Sequence, residues 1–289
     1  MTVATYFQPT SLGEALGLLR EHGPDLLVMA GGTVAMPLVN EGISLPSMVM
    51  GLRRAGLDGL EAGPDGSLRI GATTTLTTLV DRAGVPLLAG AARRTAAWAV
   101  RNMATVGGNL FTPPPGGDLA TALLALDARV AIAGPAGERL VDLEDFWTGF
   151  MTTVVALDEL VVAVVVPPAA PAPGEERTAF EKLGRKAANT PAVVTVAARA
   201  RVDAEGIARG VRLALGAAGP HPLRARGAEA VLEGTRIDAS TIARAAAAAT
   251  DAVSPVTDAI ASDWYRRRMT GVVMTRVLQR LADSAEGGA

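Results

Sequence analysis

The chain has 289 residues, 49 % of them apolar and 19 % charged, and a formal net charge of −2. Its near-neutral charge argues against a nucleic-acid binder, which needs clustered Lys and Arg to neutralise phosphates. The chain has no cysteine, which excludes disulfides, thiolate catalysis and cysteine-ligated iron–sulfur clusters. Its two histidines, His22 and His221, are too few for a three-histidine zinc site, and we predict no metal site. Redox chemistry in this chain would therefore need an organic cofactor.

The first predicted unit combines a helix with a short strand. The helix is predicted to begin at Ser11, because serine is a good N-cap and Glu14 completes a capping box. A buried strand over 26–29 follows, and residues 30–33 are predicted to form a tight turn directly after it. The N-terminus has no basic region followed by an apolar core, so we predict no signal peptide.

The second predicted unit begins near residue 67. In chain order we expect a strand at 68–72, helices at 75–83, 86–100 and 119–126, and strands at 128–133 and 138–141. A glycine-containing segment, 101–111, and a Pro/Gly loop, 112–117, precede the third helix. The most apolar stretch, 154–166, contains Asp158 and Glu159 and is too short to span a bilayer. We therefore expect a soluble, cytoplasmic protein.

A proline-rich linker at 167–174 marks the predicted domain boundary. Strands at 178–186, 193–202 and 210–215 are predicted to form an antiparallel sheet, followed by helices at 223–233, 239–252 and 263–282. The predicted class is α+β. We predict a first domain over 1–172, divided into α/β parts of about 1–58 and 59–172, and a second domain over 175–285, with three strands followed by three helices.

Two glycine pairs stand out, Gly31-Gly32 and Gly107-Gly108. Without a Cβ, successive backbone N–H groups can form a nest that receives phosphate oxygens, and neighbouring Thr or Asn side chains can add hydrogen bonds. Two nests could hold the two phosphates of one dinucleotide, whereas each pair by itself could be a simple turn. Asp118, directly after the Pro/Gly loop, could be a ligand-binding carboxylate or the N-cap of the following helix.

Several segments together resemble the FAD-binding medium subunit of molybdenum hydroxylases, the family of aerobic carbon monoxide dehydrogenase and xanthine dehydrogenase. In chain order they are Ala30-Gly-Gly-Thr33, 70–75, Arg101-Asn-Met-Ala-Thr-Val-Gly-Gly-Asn-Leu110, 118–128, 254–258 and 263–269. The resemblance covers nearly the whole chain. It implies a two-part FAD-binding domain of the p-cresol methylhydroxylase and vanillyl-alcohol oxidase type, followed by the flavoprotein C-terminal domain.

The resemblance also implies the site. The two glycine pairs would cradle the FAD diphosphate, and Asp118 would lie near the ribityl chain. The candidate cofactor-binding residues are Ala30, Gly31, Gly32, Thr33, Thr74, Thr105, Gly107, Gly108, Asn109, Asp118 and Lys182. Val34 and Asn40 depart from the residues common in the family. No cysteine is available for a thioether link and neither motif contains histidine, so the FAD is predicted to bind non-covalently.

Four further residues or runs have two interpretations each. Lys182 is either a flavin contact or a solvated strand residue, and Phe180 either packs on the flavin ring or belongs to the core. Arg101 either pairs with phosphate or caps the end of the preceding helix. The run Arg266-Arg267-Arg268 is either a solvated helix face, which is the prediction, or a contact with a partner.

The predicted function is that of an electron-transfer subunit. By resemblance, FAD takes electrons from [2Fe–2S] clusters on a small partner subunit and passes them to an external acceptor, while a large partner subunit carries the molybdenum–pterin cofactor. The assembly implied is a dimer of heterotrimers, and no catalytic acid or base is predicted in this chain. The alternative is a stand-alone FAD-dependent oxidase or reductase with its own substrate pocket. The sequence offers no obvious histidine or tyrosine for such a pocket, since its only tyrosines are Tyr6 and Tyr265.

Overall fold

The computed structural model describes residues 3–113 and 117–283, which form three packed parts of mixed helix and sheet. The mixed class agrees with the prediction. Residues 114–116 of the predicted Pro/Gly loop and the predicted domain end at residue 285 lie outside the described residues. Within the described ranges, none of the helices combines the length and the apolar character needed to cross a bilayer.

The first part is a parallel sheet of three strands, in the order β1-β3-β2, with two helices. Ser11 caps the first helix as predicted, but Glu14 accepts the N–H of Thr10 rather than that of Ser11. In chain order the elements are β1 (Thr5–Phe7), α1 (Leu12–His22), a 3-10 turn (Gly23–Asp25), β2 (Leu26–Met29), α2 (Ala35–Asn40), β3 (Met48–Gly51) and a 3-10 turn (Leu52–Arg54).

The second part is a five-stranded antiparallel sheet in the order β4-β5-β10-β6-β7. Its central strand is apolar on both faces, and all seven of its residues are buried. The elements are β4 (Leu60–Ala62), β5 (Leu68–Gly71), α3 (Leu76–Arg82), α4 (Pro86–Arg94), α5 (Trp98–Arg101), α6 (Val106–Leu110), α7 (Asp118–Ala125), β6 (Arg129–Gly134), β7 (Gly137–Asp142), a 3-10 turn (Leu143–Asp145), β8 (Trp147–Gly149), β9 (Thr152–Thr153) and β10 (Leu160–Val166).

The predicted single helix over 86–100 is wrong. It is divided into α4 and α5 because Ala96 adopts a left-handed conformation, with φ of 52°, which interrupts the helical hydrogen bonds. The guanidinium of Arg101 donates to three carbonyl groups at the end of α4 and in the following turn, at 3.0–3.2 Å. Arg101 therefore caps the preceding helix, which confirms that interpretation over phosphate binding.

The third part is a sheet of four antiparallel strands, in the order β11-β12-β13-β14, covered by helices. Three strands were predicted. The start of the predicted helix 223–233 is a two-residue edge strand instead, because Leu223 pairs with Leu215 before the helix begins. The elements are β11 (Glu175–Gly184), β12 (Ala192–Val202), β13 (Ala208–Gly216), β14 (Leu223–Arg224), α8 (Arg226–Leu232), α9 (Ala239–Asp251) and α10 (Asp263–Asp283).

Arg266 corrects the prediction of a solvated basic face. Its side chain is 2 % exposed, and its Nη2 lies 2.8 Å from both carboxylate oxygens of Asp258. The same guanidinium donates to the carbonyl oxygens of Ala192, Val193 and Ala217. Arg266 thus ties α10 to the sheet and to the loop before α10, while the other two arginines of the run remain exposed.

Helix α7 joins the second part to the third. All eight of its residues are buried, since it packs on α4 and α6 on one side and on β12 and β13 on the other. At mid-helix the hydroxyl groups of Thr121 and Thr195 lie 2.9 Å apart. A Cβ on Gly216 would overlap both hydroxyls, so glycine is needed for this close approach.

Candidate cofactor site

The first glycine pair forms the turn that leaves β2. Gly32 is in the left-handed conformation, with φ of 72°, and its carbonyl accepts the N–H of Met36 at 2.9 Å. Among the hydrogen bonds of the described residues, none is donated by the backbone N–H groups of residues 31–34. This turn therefore offers a run of free backbone donors, as expected for a phosphate nest.

The second glycine pair lies inside the short helix α6. Thr105 is its N-cap, and its hydroxyl accepts the N–H of Gly108 at 3.1 Å. The N–H of Gly107 donates to the carbonyl of Ala72 at 2.8 Å, and that of Val106 to the carbonyl of Thr74 at 3.0 Å. The predicted nest of free N–H groups is therefore wrong for this pair, because the chain itself uses these donors.

Glycine at 107 serves close packing instead. A Cβ there would lie 2.9 Å from the Cβ of Ala72, closer than real side chains approach. At Gly108 a Cβ would meet only the Thr105 hydroxyl, at 2.9 Å, and lie 4.0 Å from the Cβ of Ala30. Gly108 thus presents a bare backbone surface toward the first glycine turn.

The two glycine segments are adjacent in space, although 76 positions separate Gly31 from Gly107. A Cβ on Gly31 would overlap the carbonyl oxygen of Met103, so the backbone of the first turn rests directly on the segment that leads into α6. The packing at Gly31 therefore brings the two motifs together on one surface.

Asp118 and Lys182 form a buried ion pair beside this surface. The Lys182 Nζ and Asp118 Oδ2 atoms lie 2.5 Å apart, and the two side chains are 7 % and 6 % exposed. The other carboxylate oxygen, Oδ1, is buried and has no hydrogen-bond partner among the described residues. Burial raises the pKa of the Asp118 carboxyl, and the Lys182 ammonium opposes that rise without cancelling it.

This pair corrects two interpretations. Asp118 is the first residue of α7 rather than its N-cap, which is Gly117 in the left-handed conformation. Lys182 is not a solvated strand residue, because its side chain is buried and reaches from β11 to Asp118 of α7. An unpaired acceptor next to an ammonium group is suited to polyhydroxyl and phosphate groups of a ligand.

Asn109 supplies a second unsatisfied acceptor. The residue is 9 % exposed, and its buried Oδ1 has no hydrogen-bond partner among the described residues. Thr74 differs, because its hydroxyl both accepts the N–H of Gly59 and donates to the carbonyl of the same residue. Thr74 is thus committed to the turn at 59. Phe180 is buried among the core residues of the second part, in agreement with the core interpretation.

An aromatic cleft next to Asn109 was not predicted. Aromatic residues make up 3 % of the chain, yet Phe111, Phe146 and Trp147 meet here, and the ring of His221 from the C-terminal domain stacks on Trp147 at an interplanar angle of 7°. The cleft has a volume of about 70 Å³. Periodicity could not have revealed it, because Trp147 and His221 come from different domains.

Comparisons with known proteins agree with this architecture. Residues 2–169 match the family model described as the FAD binding domain in molybdopterin dehydrogenase, and residues 178–281 match the CO dehydrogenase flavoprotein C-terminal domain. The chain is 31 % identical to a xanthine dehydrogenase FAD-binding subunit of Escherichia coli, over 98 % of both chains. It is also 31 % identical to the carbon monoxide dehydrogenase medium chain of Afipia carboxidovorans, over 95 % of both.

A solved structure shows the same fold. The chain superimposes on one from the carbon monoxide dehydrogenase of Hydrogenophaga pseudoflava with a TM-score of 0.90, at 32 % identity and over 97 % of both chains. That enzyme is described as lacking the Mo-pyranopterin moiety of its molybdenum cofactor.

Proposed function

This chain belongs to the family of FAD-binding subunits of molybdopterin dehydrogenases, and from that premise we propose that its FAD lies across the two adjacent glycine segments, with Asp118 and Lys182 beside it. The observation that carries the proposal is the packing of Gly31 on the Met103 carbonyl, which joins a turn of free N–H donors to the surface of α6. The proposed contacts are Ala30, Gly31, Gly32, Thr33, Thr74, Thr105, Gly107, Gly108, Asn109, Asp118 and Lys182.

The unsatisfied polar groups fit a dinucleotide. The free N–H groups at 31–34 suit phosphate oxygens, and the unpaired oxygens of Asp118 and Asn109 suit hydroxyl or ring N–H donors. Buried acceptors without partners destabilise a protein, so these oxygens are best explained by a ligand that donates to them. Thr74, Thr105 and Gly107 would act by shaping the surface, since their own polar groups are used within the chain.

Bound FAD would supply the redox chemistry, because it accepts and releases electrons singly or in pairs. The residues of this chain bind and orient it. The Lys182 ammonium would place a positive charge at the site, and its partner Asp118 would keep that side chain fixed. No step requires a protein acid or base, since transfer between a cluster and a flavin moves electrons rather than substrate protons.

The proposed partners follow from the same role. The chain has no cysteine to ligate an iron–sulfur cluster. From its family we propose that [2Fe–2S] clusters belong to a small partner subunit and the molybdenum–pterin cofactor to a large one. We propose that FAD takes electrons from those clusters and passes them to an external acceptor, in a cytoplasmic dimer of heterotrimers. We also propose that the FAD-binding domain is of the p-cresol methylhydroxylase and vanillyl-alcohol oxidase type.

FAD titration of the full apo-chain tests the site. Gly108→Val places a branched side chain on the bare surface of α6, and we expect FAD affinity to fall at least tenfold while the C-terminal domain stays folded. Gly90→Val is the matched control, because a Cβ at Gly90 in α4 meets nothing within 4 Å. Wild-type affinity in Gly108→Val would remove α6 from the site.

Purification from the native host tests the assembly. A denaturing gel of the purified complex should show a small and a large partner beside the 29.5 kDa chain. Acid denaturation should release the flavin into solution, since its binding is non-covalent. Recovery of a lone 29.5 kDa flavoenzyme that turns over a substrate would replace the subunit proposal with the stand-alone alternative.

A further inference from the structure

Helix α7 is held at both ends by ion pairs to the C-terminal sheet. At its N-terminal end Asp118 pairs with Lys182 of β11. Just beyond its C-terminal end Asp127 pairs with three arginines of the same sheet. The first pair lies in the proposed FAD site, and the second cluster has no role in that proposal.

Asp127 stands where a glycine is usual. Helix α7 ends in a Schellman motif, in which the N–H of Ala128 donates to the carbonyl of Leu123 and the N–H of Asp127 to that of Leu124. Asp127 itself is left-handed, with φ of 54°. Aspartate is one of the few residues with a Cβ that adopt this conformation, since its side chain can hydrogen-bond locally. Here the carboxylate pairs instead with arginines of the C-terminal sheet.

The three arginines come from three neighbouring strands. The atoms Arg199 Nη2, Arg212 Nε and Arg224 Nη1, on β12, β13 and β14, each lie 2.8 Å from an oxygen of Asp127. Arg224 also pairs with the buried Glu229 at 2.5 Å. One carboxylate of the FAD-binding domain thus engages three adjacent strands of the C-terminal domain.

We propose that Asp127 is a positioning residue for the FAD site. It fixes α7 along its axis, and because α7 is a rigid, fully buried helix, it thereby fixes Asp118 and the pairing of Asp118 with Lys182 about 14 Å away, at 1.5 Å per residue. The inference rests on the proposed placement of Asp118 and Lys182 at FAD. It assigns a share of FAD affinity to a residue that does not touch the cofactor.

The test is FAD titration of full-length apo-protein carrying Asp127→Gly. Glycine tolerates the left-handed conformation, so the helix end is kept and only the carboxylate is lost. We expect FAD to bind about tenfold more weakly. Glu159→Gln is the matched control, because it removes a bidentate pair with Arg139 within the FAD-binding domain and should leave the affinity unchanged.

A double variant separates positioning from general destabilisation. If Asp127 acts through the Asp118–Lys182 pair, Asp127→Gly should cause little further loss of affinity in a Lys182→Met background. A full tenfold further loss there, or unchanged affinity in Asp127→Gly alone, would overturn the inference. Should Asp127→Gly fail to fold, Arg212→Gln replaces it as the test variant. It removes the most exposed of the three arginines and leaves Arg199 and Arg224 paired with Asp127. We expect Arg212→Gln to weaken FAD binding by about threefold, and an unchanged affinity would contradict the inference.

Different results would contradict the proposed FAD site and the positioning role of Asp127. Unchanged FAD affinity in Lys182→Met would contradict the proposed contact of Lys182 with FAD itself. A loss of affinity in Lys182→Met together with none in Asp127→Gly would contradict the positioning role alone.

Discussion

The two glycine pairs look alike in sequence and serve different physical ends. At 31–32 the glycines make a turn whose following N–H groups are free, and Gly32 needs its left-handed φ. At 107–108 the glycines lie in a helix whose N–H groups are already hydrogen-bonded. The first pair therefore presents donors and the second presents a close, bare surface. A Gly-Gly motif indicates that another group must approach the backbone closely, but it does not indicate whether that group is a ligand or another part of the chain.

The largest expected effect is at Gly31, where the two segments meet. Gly31→Ala would force the turn away from the Met103 carbonyl, which is backbone and cannot rotate aside. We expect a loss of about 3 kcal/mol in the free energy of unfolding, as in overpacked cores, together with loss of FAD. Urea unfolding and flavin content would measure both. Normal stability with full FAD would show that the segments do not depend on this contact.

Substitutions at Gly107 and Gly32 should distinguish a glycine needed for close packing from one needed to orient free N–H donors. Gly107→Ala would bring a Cβ to 2.9 Å from that of Ala72, and we expect it to cost about 2 kcal/mol of stability. Gly32→Ala forces alanine into a left-handed conformation, which costs about 1 kcal/mol. FAD affinity should nevertheless fall further in Gly32→Ala, because that change re-aims the free N–H groups. The opposite ranking in FAD titration would mean that the first turn is not the phosphate site.

Thr105 and Thr33 allow the same comparison between the two segments, with smaller expected effects. Thr105→Val removes an N-cap and should cost about 1 kcal/mol in thermal or urea unfolding. The Thr33 hydroxyl has no hydrogen bond among the described residues, so Thr33→Val should leave stability unchanged and weaken FAD binding alone. Equal losses of stability in both variants would remove the distinction between a structural and a ligand-facing threonine.

The smallest expected effect is a pH dependence that the glycine segments cannot produce. The pKa of Asp118 is raised by burial, so this carboxyl takes up a proton at a higher pH than in the unfolded chain, where its pKa is 3.8. As pH falls through the raised value, protonation relieves the cost of the buried charge and favours the fold, while the pair with Lys182 and the FAD contact weaken. FAD titrations against pH should show this loss in the wild type and a flatter profile in Asp118→Asn.

The sequence predicted long periodic elements better than short ones. The helices near 12–22, 239–251 and 263–283 and the strands near 192–202 and 208–216 agree with the predictions within a few residues, because each has a long, continuous pattern. The strands at 5–7, 48–51 and 60–62 were missed, since three or four residues carry too little pattern. The break at Ala96 was missed because alanine favours helix and nothing local signals a left-handed residue there.

The site divides in the same way. Local motifs indicated the two glycine segments and Asp118, because the residues that mark each of them are adjacent in sequence. The tertiary partners could not be derived from pattern alone: the Met103 carbonyl against Gly31, the cleft shared by Trp147 and His221, and the three arginines around Asp127. Arg266 shows the converse, because a run of three arginines predicts exposure, whereas Arg266 is the largest fully buried side chain among the described residues.

The position of β10 at the centre of the five-stranded sheet also sets an order of events during synthesis. Strands β5 and β6 do not pair with each other but with the two edges of β10, which is made last among the five. The five-stranded sheet, whose strand β5 leads to the residue packed against Gly107, therefore cannot close until residue 166 has left the ribosome. Lys182 and the arginines around Asp127 emerge later still. We therefore expect flavin loading to be a late step, and a nascent chain arrested before β10 to expose apolar strand edges to chaperones.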